Sequence, residues 1–169
     1  MSRHSQWTIR SRRGRLQFES LENRWLLACE VFEQGGKLFV IGDETSNKIE
    51  IVGTDQGVQV TCDGHDHGSF SQINAIDVQT DDGNDTVGIQ LAGKYDKLLL
   101  AVNTGDGDDR FSLFETTVNG RAELAIDAGS GKDLVEIPCS YFNDLQLDVA
   151  LGEGDDHFSL FETNVARLA

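Results

Sequence analysis

From residue 76 onward, apolar residues alternate with polar ones in short runs that come in pairs, one on each side of a Gly/Asp cluster. Ahead of the clusters stand Ile76 and Val78; Leu98, Leu100 and Val102; Ala122, Leu124 and Ile126; Leu145, Leu147 and Val149. Behind them stand Val87, Ile89 and Leu91; Phe111 and Leu113; Val135 and Ile137; Phe158 and Leu160. Side chains along a strand point to opposite faces in turn, so a period of two marks a short strand with one buried face. A helix would show spacings of three and four, and no such stripe of useful length follows residue 30. The pattern predicts an all-β body.

The clusters themselves recur. They are Asp81-Asp82-Gly83-Asn84-Asp85, Gly105-Asp106-Gly107-Asp108-Asp109, Gly129-Ser130-Gly131-Lys132-Asp133 and Gly152-Glu153-Gly154-Asp155-Asp156, with central glycines 24, 24 and 23 residues apart. The residue two places after each central glycine is always Asp. Two six-residue blocks, 111–116 and 158–163, are identical and lie two periods apart. A single repeat cannot bury its own apolar face, whereas stacked repeats can. The expected fold is therefore a parallel β-helix (β-solenoid) with rungs of about 24 residues. An antiparallel β-sandwich or meander is the alternative, but it gives no reason for apolar identity to return at that period. Residues 115–120 leave room for a third short strand, with Val118, Phe142 and Val165 at equivalent inward places. Pro138 should mark a strand end, since it cannot donate to a ladder.

Residues 29–75 alternate without the period and are expected to be degenerate first rungs or a β cap, leaving 76–169 as the regular repeats. Charge divides the chain more sharply. Residues 1–28 carry a net +4 and the remainder −19, for an overall −15. The first 28 residues read as a basic leader, flexible or forming a short helix. They lack the apolar run of a standard secretory signal. So acidic a body argues against nucleic acid as a partner, and no window is apolar and long enough for a transmembrane helix.

Within the leader, Arg15-Leu16-Gln17-Phe18-Glu19-Ser20-Leu21-Glu22-Asn23-Arg24-Trp25-Leu26-Leu27-Ala28 resembles the N-terminal F-E-x-L-E-x-R-x-L-L-A signature of large secreted or surface proteins of planctomycete-type bacteria. Asn23 stands where that signature has proline. The resemblance implies an exported or cell-surface protein built from Gly/Asp-rich β repeats.

In a parallel stack, equivalent residues sit about 4.8 Å apart. Unit charges at that distance repel by roughly 1 kcal/mol in water and about 3–4 kcal/mol at an effective dielectric of 20. A column of Asp85, Asp109, Asp133 and Asp156, flanked by Asp82, Asp106, Asp108 and Asp155, needs an offset. Backbone N–H groups, solvent or Ca²⁺ could each supply one. The turns are similar to the calcium-binding turns of RTX-type β-rolls, which implies that these eight aspartates hold weakly bound Ca²⁺. The RTX motif returns every nine residues, so that facing turns share an ion; here the return is 24. No cofactor is otherwise required.

Phe114 and Phe161 follow inward residues by one place and could form an outer aromatic patch for a partner, unless corner packing buries them. Cys29, Cys62 and Cys139 are widely spaced; three buried or half-buried thiols are expected ahead of one disulfide plus a free thiol. His65 and His67 lack a third ligand for zinc. Acids occur in every turn, as a building rule requires, and no single rung departs from the others as a catalytic one should. The reading is a non-catalytic structural or surface repeat module. A carbohydrate- or protein-binding module and a polysaccharide-acting β-helix enzyme are the alternatives. Self-association, or contact with protein or glycan, is expected at the C-terminal edge of the solenoid, where the last rung lacks a neighbour.

Overall fold

The computed structural model describes residues 29–54 and 57–169; the basic leader of residues 1–28 lies outside them. Fourteen strands follow one another among the described residues: β1 (Glu30–Gln34), β2 (Lys37–Ile41), β3 (Lys48–Thr54), β4 (Gly57–Cys62), β5 (His65–Phe70), β6 (Ala75–Gln79), β7 (Thr86–Leu91), β8 (Lys94–Asn103), β9 (Arg110–Phe114), β10 (Thr117–Asp127), β11 (Leu134–Pro138), β12 (Tyr141–Ala150), β13 (His157–Phe161) and β14 (Asn164–Val165). They form two seven-stranded sheets. Sheet 1 runs β1-β2-β6-β8-β10-β12-β14 and sheet 2 runs β13-β11-β9-β7-β3-β4-β5.

From β6 onward the chain alternates between the sheets, and each strand lies parallel to the one a rung earlier. This is a parallel β-solenoid with rungs of about 24 residues. The register stacks like on like. Ile76, Leu100, Leu124 and Leu147 follow one another through sheet 1; Val87, Phe111, Val135 and Phe158 do so through sheet 2. Val87, Phe111 and Val135 are each about 1% exposed, and Leu113 and Ile137 not at all. The alternation seen in the sequence is thus the inner face of each sheet. Burying a side chain of this size contributes about 1.5–3 kcal/mol, so the columns dominate the favourable side of folding.

Three sequence expectations meet the structure differently. The room for a third strand is used up by lengthening: residues 117–127 form the single strand β10, with a register shift between Val118 and Arg121. A bulge of this kind lets a strand bend while its ladder continues, so each rung has two sheets and two corners. Val118 and Phe142 are fully buried there, as inward residues should be. The cysteine expectation is corrected. Cys29 and Cys62 form a disulfide, their Cα atoms 6.2 Å apart, and Cys139 is an exposed thiol. Cys29 leads into the outer strand of sheet 1 and Cys62 ends a strand of sheet 2, so the bond joins the two sheets at one end. Sequence spacing carries no trace of that meeting. Pro138, by contrast, sits at the last place of β11, beyond Glu136, where the pairing of β11 with β9 has already ended.

At the N-terminal end the pairing changes direction. β1 and β2 form an antiparallel hairpin on sheet 1, and β3, β4 and β5 an antiparallel set on sheet 2. The outermost strand, β5, is polar and irregular in register against β4.

Candidate functional site

From β6 onward each rung turns from sheet 1 to sheet 2 through a Gly/Asp cluster, and the central glycines of the four turns share one backbone conformation. The central glycines carry positive φ: 134° at Gly83, 149° at Gly107, 141° at Gly131 and 153° at Gly154. Only glycine occupies such backbone without a Cβ penalty. Backbone bonds join one turn to the next: the Gly83 N–H donates to the Asp106 carbonyl at 2.8 Å, Gly107 to Ser130 at 2.7 Å, and Gly131 to Glu153 at 2.8 Å. The turns therefore pile directly on one another, backbone against backbone.

The aspartate column stands just beyond. Asp85 Oδ1 accepts the Asn47 N–H at 2.7 Å and Asp109 Oδ1 the Asp85 N–H at 2.8 Å. Asp133 Oδ1 accepts the Asp109 N–H at 2.9 Å and Asp156 Oδ1 the Asp133 N–H at 2.9 Å. Each carboxylate thus reaches back one rung to hold the main chain of its own equivalent. Asp85, Asp109 and Asp133 are at most 4% exposed, and Asp156 is half-buried. The second oxygen of the three buried groups has no hydrogen-bond partner. Burial pushes the Asp109 carboxyl up to about 6, against the lowering effect of the Asp85 N–H and the Thr104 hydroxyl. Charged Asp85 and Asp133 push it further the same way. Burial likewise raises Asp85 and Asp133.

The other four predicted acids are elsewhere. Asp82, Asp106, Asp108 and Asp155 are exposed on the outside of the turns. Asp108 has a scaffolding role of its own, since its Oδ1 accepts the Lys132 N–H at 2.9 Å while its own N–H donates to Asn84 Oδ1 at 2.9 Å. A lysine side chain offers no acceptor, so this outer ladder ends at Lys132. Among the described residues no three His, Cys, Asp or Glu side chains converge to hold a metal ion.

The opposite corner holds a neutral counterpart that the sequence reading missed. The Leu91 N–H donates to Thr116 Oγ1 at 3.1 Å, the Thr116 N–H to Ser140 Oγ at 3.2 Å, and the Ser140 N–H to Thr163 Oγ1 at 3.3 Å. Thr116, Ser140 and Thr163 recur at the rung period, which was the signal available. The residues just before them, Glu115, Cys139 and Glu162, take φ near +50°. Hydroxyls serve one corner and carboxylates the other, by the same rule.

Phe114 and Phe161 end β9 and β13 on the outer face of sheet 2, where Phe114 pairs with Gln90 and Phe161 with Pro138. Phe114 is half-buried and Phe161 is 47% exposed. The outer face of sheet 1 carries a shallow trough of about 370 Å³ with Ala101 and Ala125 among its lining residues and Asp77, Gln79, Asn103, Asp127 and Asp148 around them. Asp77 there is ion-paired with Lys37 at 2.6 Å.

A family model described as Planctomycete extracellular matches residues 12–31. No curated protein and no solved structure matches the chain. Among the described residues no helix is long and apolar enough to cross a membrane.

Proposed function

We propose that the chain is a non-catalytic structural module of an exported, surface-associated repeat protein. The observation that carries this reading is the use made of the corner acids. Asp85, Asp109, Asp133 and Asp156 each give an oxygen to the main chain of the rung before. Hydrolysis of a glycosidic bond needs two carboxyl groups converging on one bond, in distinct environments. Here the acids repeat one environment from rung to rung, which is the arrangement of a building element. The match over residues 12–31 supports export.

Antibody raised against the folded repeats is expected to label intact cells of the source organism. Signal confined to the cytoplasmic fraction would overturn the export reading. Turnover of any acidic or neutral polysaccharide by the purified chain, at a rate lowered by an acidic-to-amide change, would overturn the structural one.

The same reading carries no calcium requirement. Ca²⁺ takes six to eight oxygen ligands, and the buried aspartate oxygens are already bound to N–H groups or lie inside the corner. Millimolar Ca²⁺ is therefore expected to shift the melting temperature no more than Mg²⁺ at matched ionic strength. A saturable calorimetric heat that is specific to Ca²⁺ would restore the calcium reading.

A further inference from the structure

The outer faces of the two sheets differ in how their acids are matched. Along β3, β7, β9, β11 and β13 the carboxylates of sheet 2 are Glu50 and Glu136, and each is already ion-paired, with Lys48 at 2.7 Å and Arg110 at 2.9 Å. On sheet 1 the trough over Ala101 and Ala125 continues into a second hollow of about 330 Å³, with Leu99, Glu123 and Gln146 among its lining residues. The basic side chains of this face show how it holds a cation. Lys37 Nζ lies 2.6 Å from Asp77 and 4.7 Å above the centre of the Phe39 ring. Arg121 reaches Glu123 at 2.8 Å and the side-chain carbonyl of Gln146 at 2.8 Å. Two acids of the trough, Asp127 and Asp148, are exposed and have no cation beside them among the described residues.

We infer that this trough is the seat of the chain's own basic leader, with the arginines between Arg10 and Arg15 set against Asp127 and Asp148. Charge selects the occupant. Residues 1–28 carry a net +4 against −19 for the rest, and Arg10, Arg12, Arg13 and Arg15 fall within six positions. Register fixes where the leader joins the body. Glu30, the first residue of β1, stands in one row with Ile41, Gln79, Asn103 and Asp127 across sheet 1. That row forms one wall of the trough, so the leader enters at its head. Cys29 is fixed there by its disulfide to Cys62. Four strand spacings separate β1 from β10, about 19 Å in all. Fourteen residues separate Arg15 from Cys29. They span about 20 Å as a helix and up to about 45 Å extended, so the reach suffices in either form. Because the leader is covalently attached, the encounter is intramolecular, at an effective concentration on the order of millimolar. A weak contact at each arginine then holds the segment. This inference is independent of export and of the absence of catalysis.

Both tryptophans, Trp7 and Trp25, lie in the leader, so the tryptophan emission of the full chain reports that segment alone. Its anisotropy is expected to be high at low ionic strength and to fall in about 0.5 M salt, where screening acts within a few ångströms. Asp127→Lys with Asp148→Lys should give the low value without salt, its far-ultraviolet dichroism unchanged. The same change of charge at Asp82 and Asp155, on the outside of the Gly/Asp corner, should keep the high value. In a Cys139→Ser background, Gly14→Cys with Ala125→Cys should form a disulfide within one chain on mild oxidation. Its yield should exceed by at least about tenfold that of Gly14→Cys with Val52→Cys, which places the second thiol on the outer face of sheet 2. Low anisotropy at every ionic strength, an equal fall in the two charge variants, equal linking at Ala125 and Val52, or links only between chains would each overturn the docking.

Discussion

Gly131→Ala is expected to abolish or nearly abolish folding, with a loss upwards of about 4 kcal/mol, in the range reserved for steric or buried-polar failures. Two effects combine there. The backbone sits at φ 141°, which an L-residue rarely adopts, and a Cβ would lie 1.8 Å from the carbonyl oxygen of Gly107 one rung earlier. Neither atom has room to move, because the Gly107 N–H is itself held at 2.7 Å by the Ser130 carbonyl. Separating the two effects needs a control. Gly64 has φ 78° but nothing within 4 Å of an added Cβ, so Gly64→Ala should lose only the conformational part, about 1–2 kcal/mol. Urea midpoints of the two variants measure the difference. Equal and small losses would mean that successive turns are not in backbone contact, and the stacked corner would have to be given up.

That corner shows what the sequence could and could not convey. The period told of stacking, and alternation told which residues face inward, because both are consequences of strand geometry that no tertiary detail reverses. Leu100, Leu124, Phe111 and Val135 were legible for that reason. Pairing direction was less so. Residues 38–60 alternate just as well, yet β3 and β4 are antiparallel, since a connection as short as theirs permits no parallel return. The bulge in β10 left no mark that distinguished it from a separate third strand. In the candidate site, positions were legible and orientation was overlooked. Asp85, Asp109, Asp133 and Asp156 each stand two residues before an inward apolar residue, Val87, Phe111, Val135 or Phe158. Strand parity alone therefore puts their side chains on the core side, and Asp82, Asp106, Asp108 and Asp155 outside the same rule. The hydroxyl ladder left a weaker mark: Thr116 and Thr163 close the duplicated block, but the member between them is Ser140, so the column repeats a hydroxyl and not a residue type. The Cys29–Cys62 bond depends on two sheet ends meeting in space, which no local pattern encodes.

Asp109→Asn should leave the protein at least as stable at pH 7.5 and flatten its dependence on pH. The wild-type carboxyl is raised from 3.8 to about 6 by burial, so folding binds a proton more tightly than the unfolded chain does. Its contribution to stability is fully present below pH 3.8 and is lost as pH rises through about 6. A displacement of that size is worth about 3 kcal/mol. Asp85 and Asp133 are raised too and act with the same sign, while the half-buried Asp43 and Asp144 are lowered, Asp43 chiefly by the Thr45 hydroxyl and Asp144 by Arg167. Wild-type stability is therefore expected to increase between pH 7 and pH 5, opposite to the usual behaviour of paired carboxylates. The asparagine retains an oxygen for the Asp85 N–H and loses the charge. Asp109→Ala removes both, and leaves that buried N–H without an acceptor, at about 1–3 kcal/mol. At pH 5, where the wild-type group is largely neutral and no repulsion is relieved, the alanine loss should stand out in full; at pH 7.5 it should be partly offset. Denaturant midpoints of the three proteins at both values decide the matter. A wild type that weakens on going to pH 5, or an asparagine variant with the same slope, would show that the column is not held as buried acceptors, and the ladder would lose its role in joining one rung to the next.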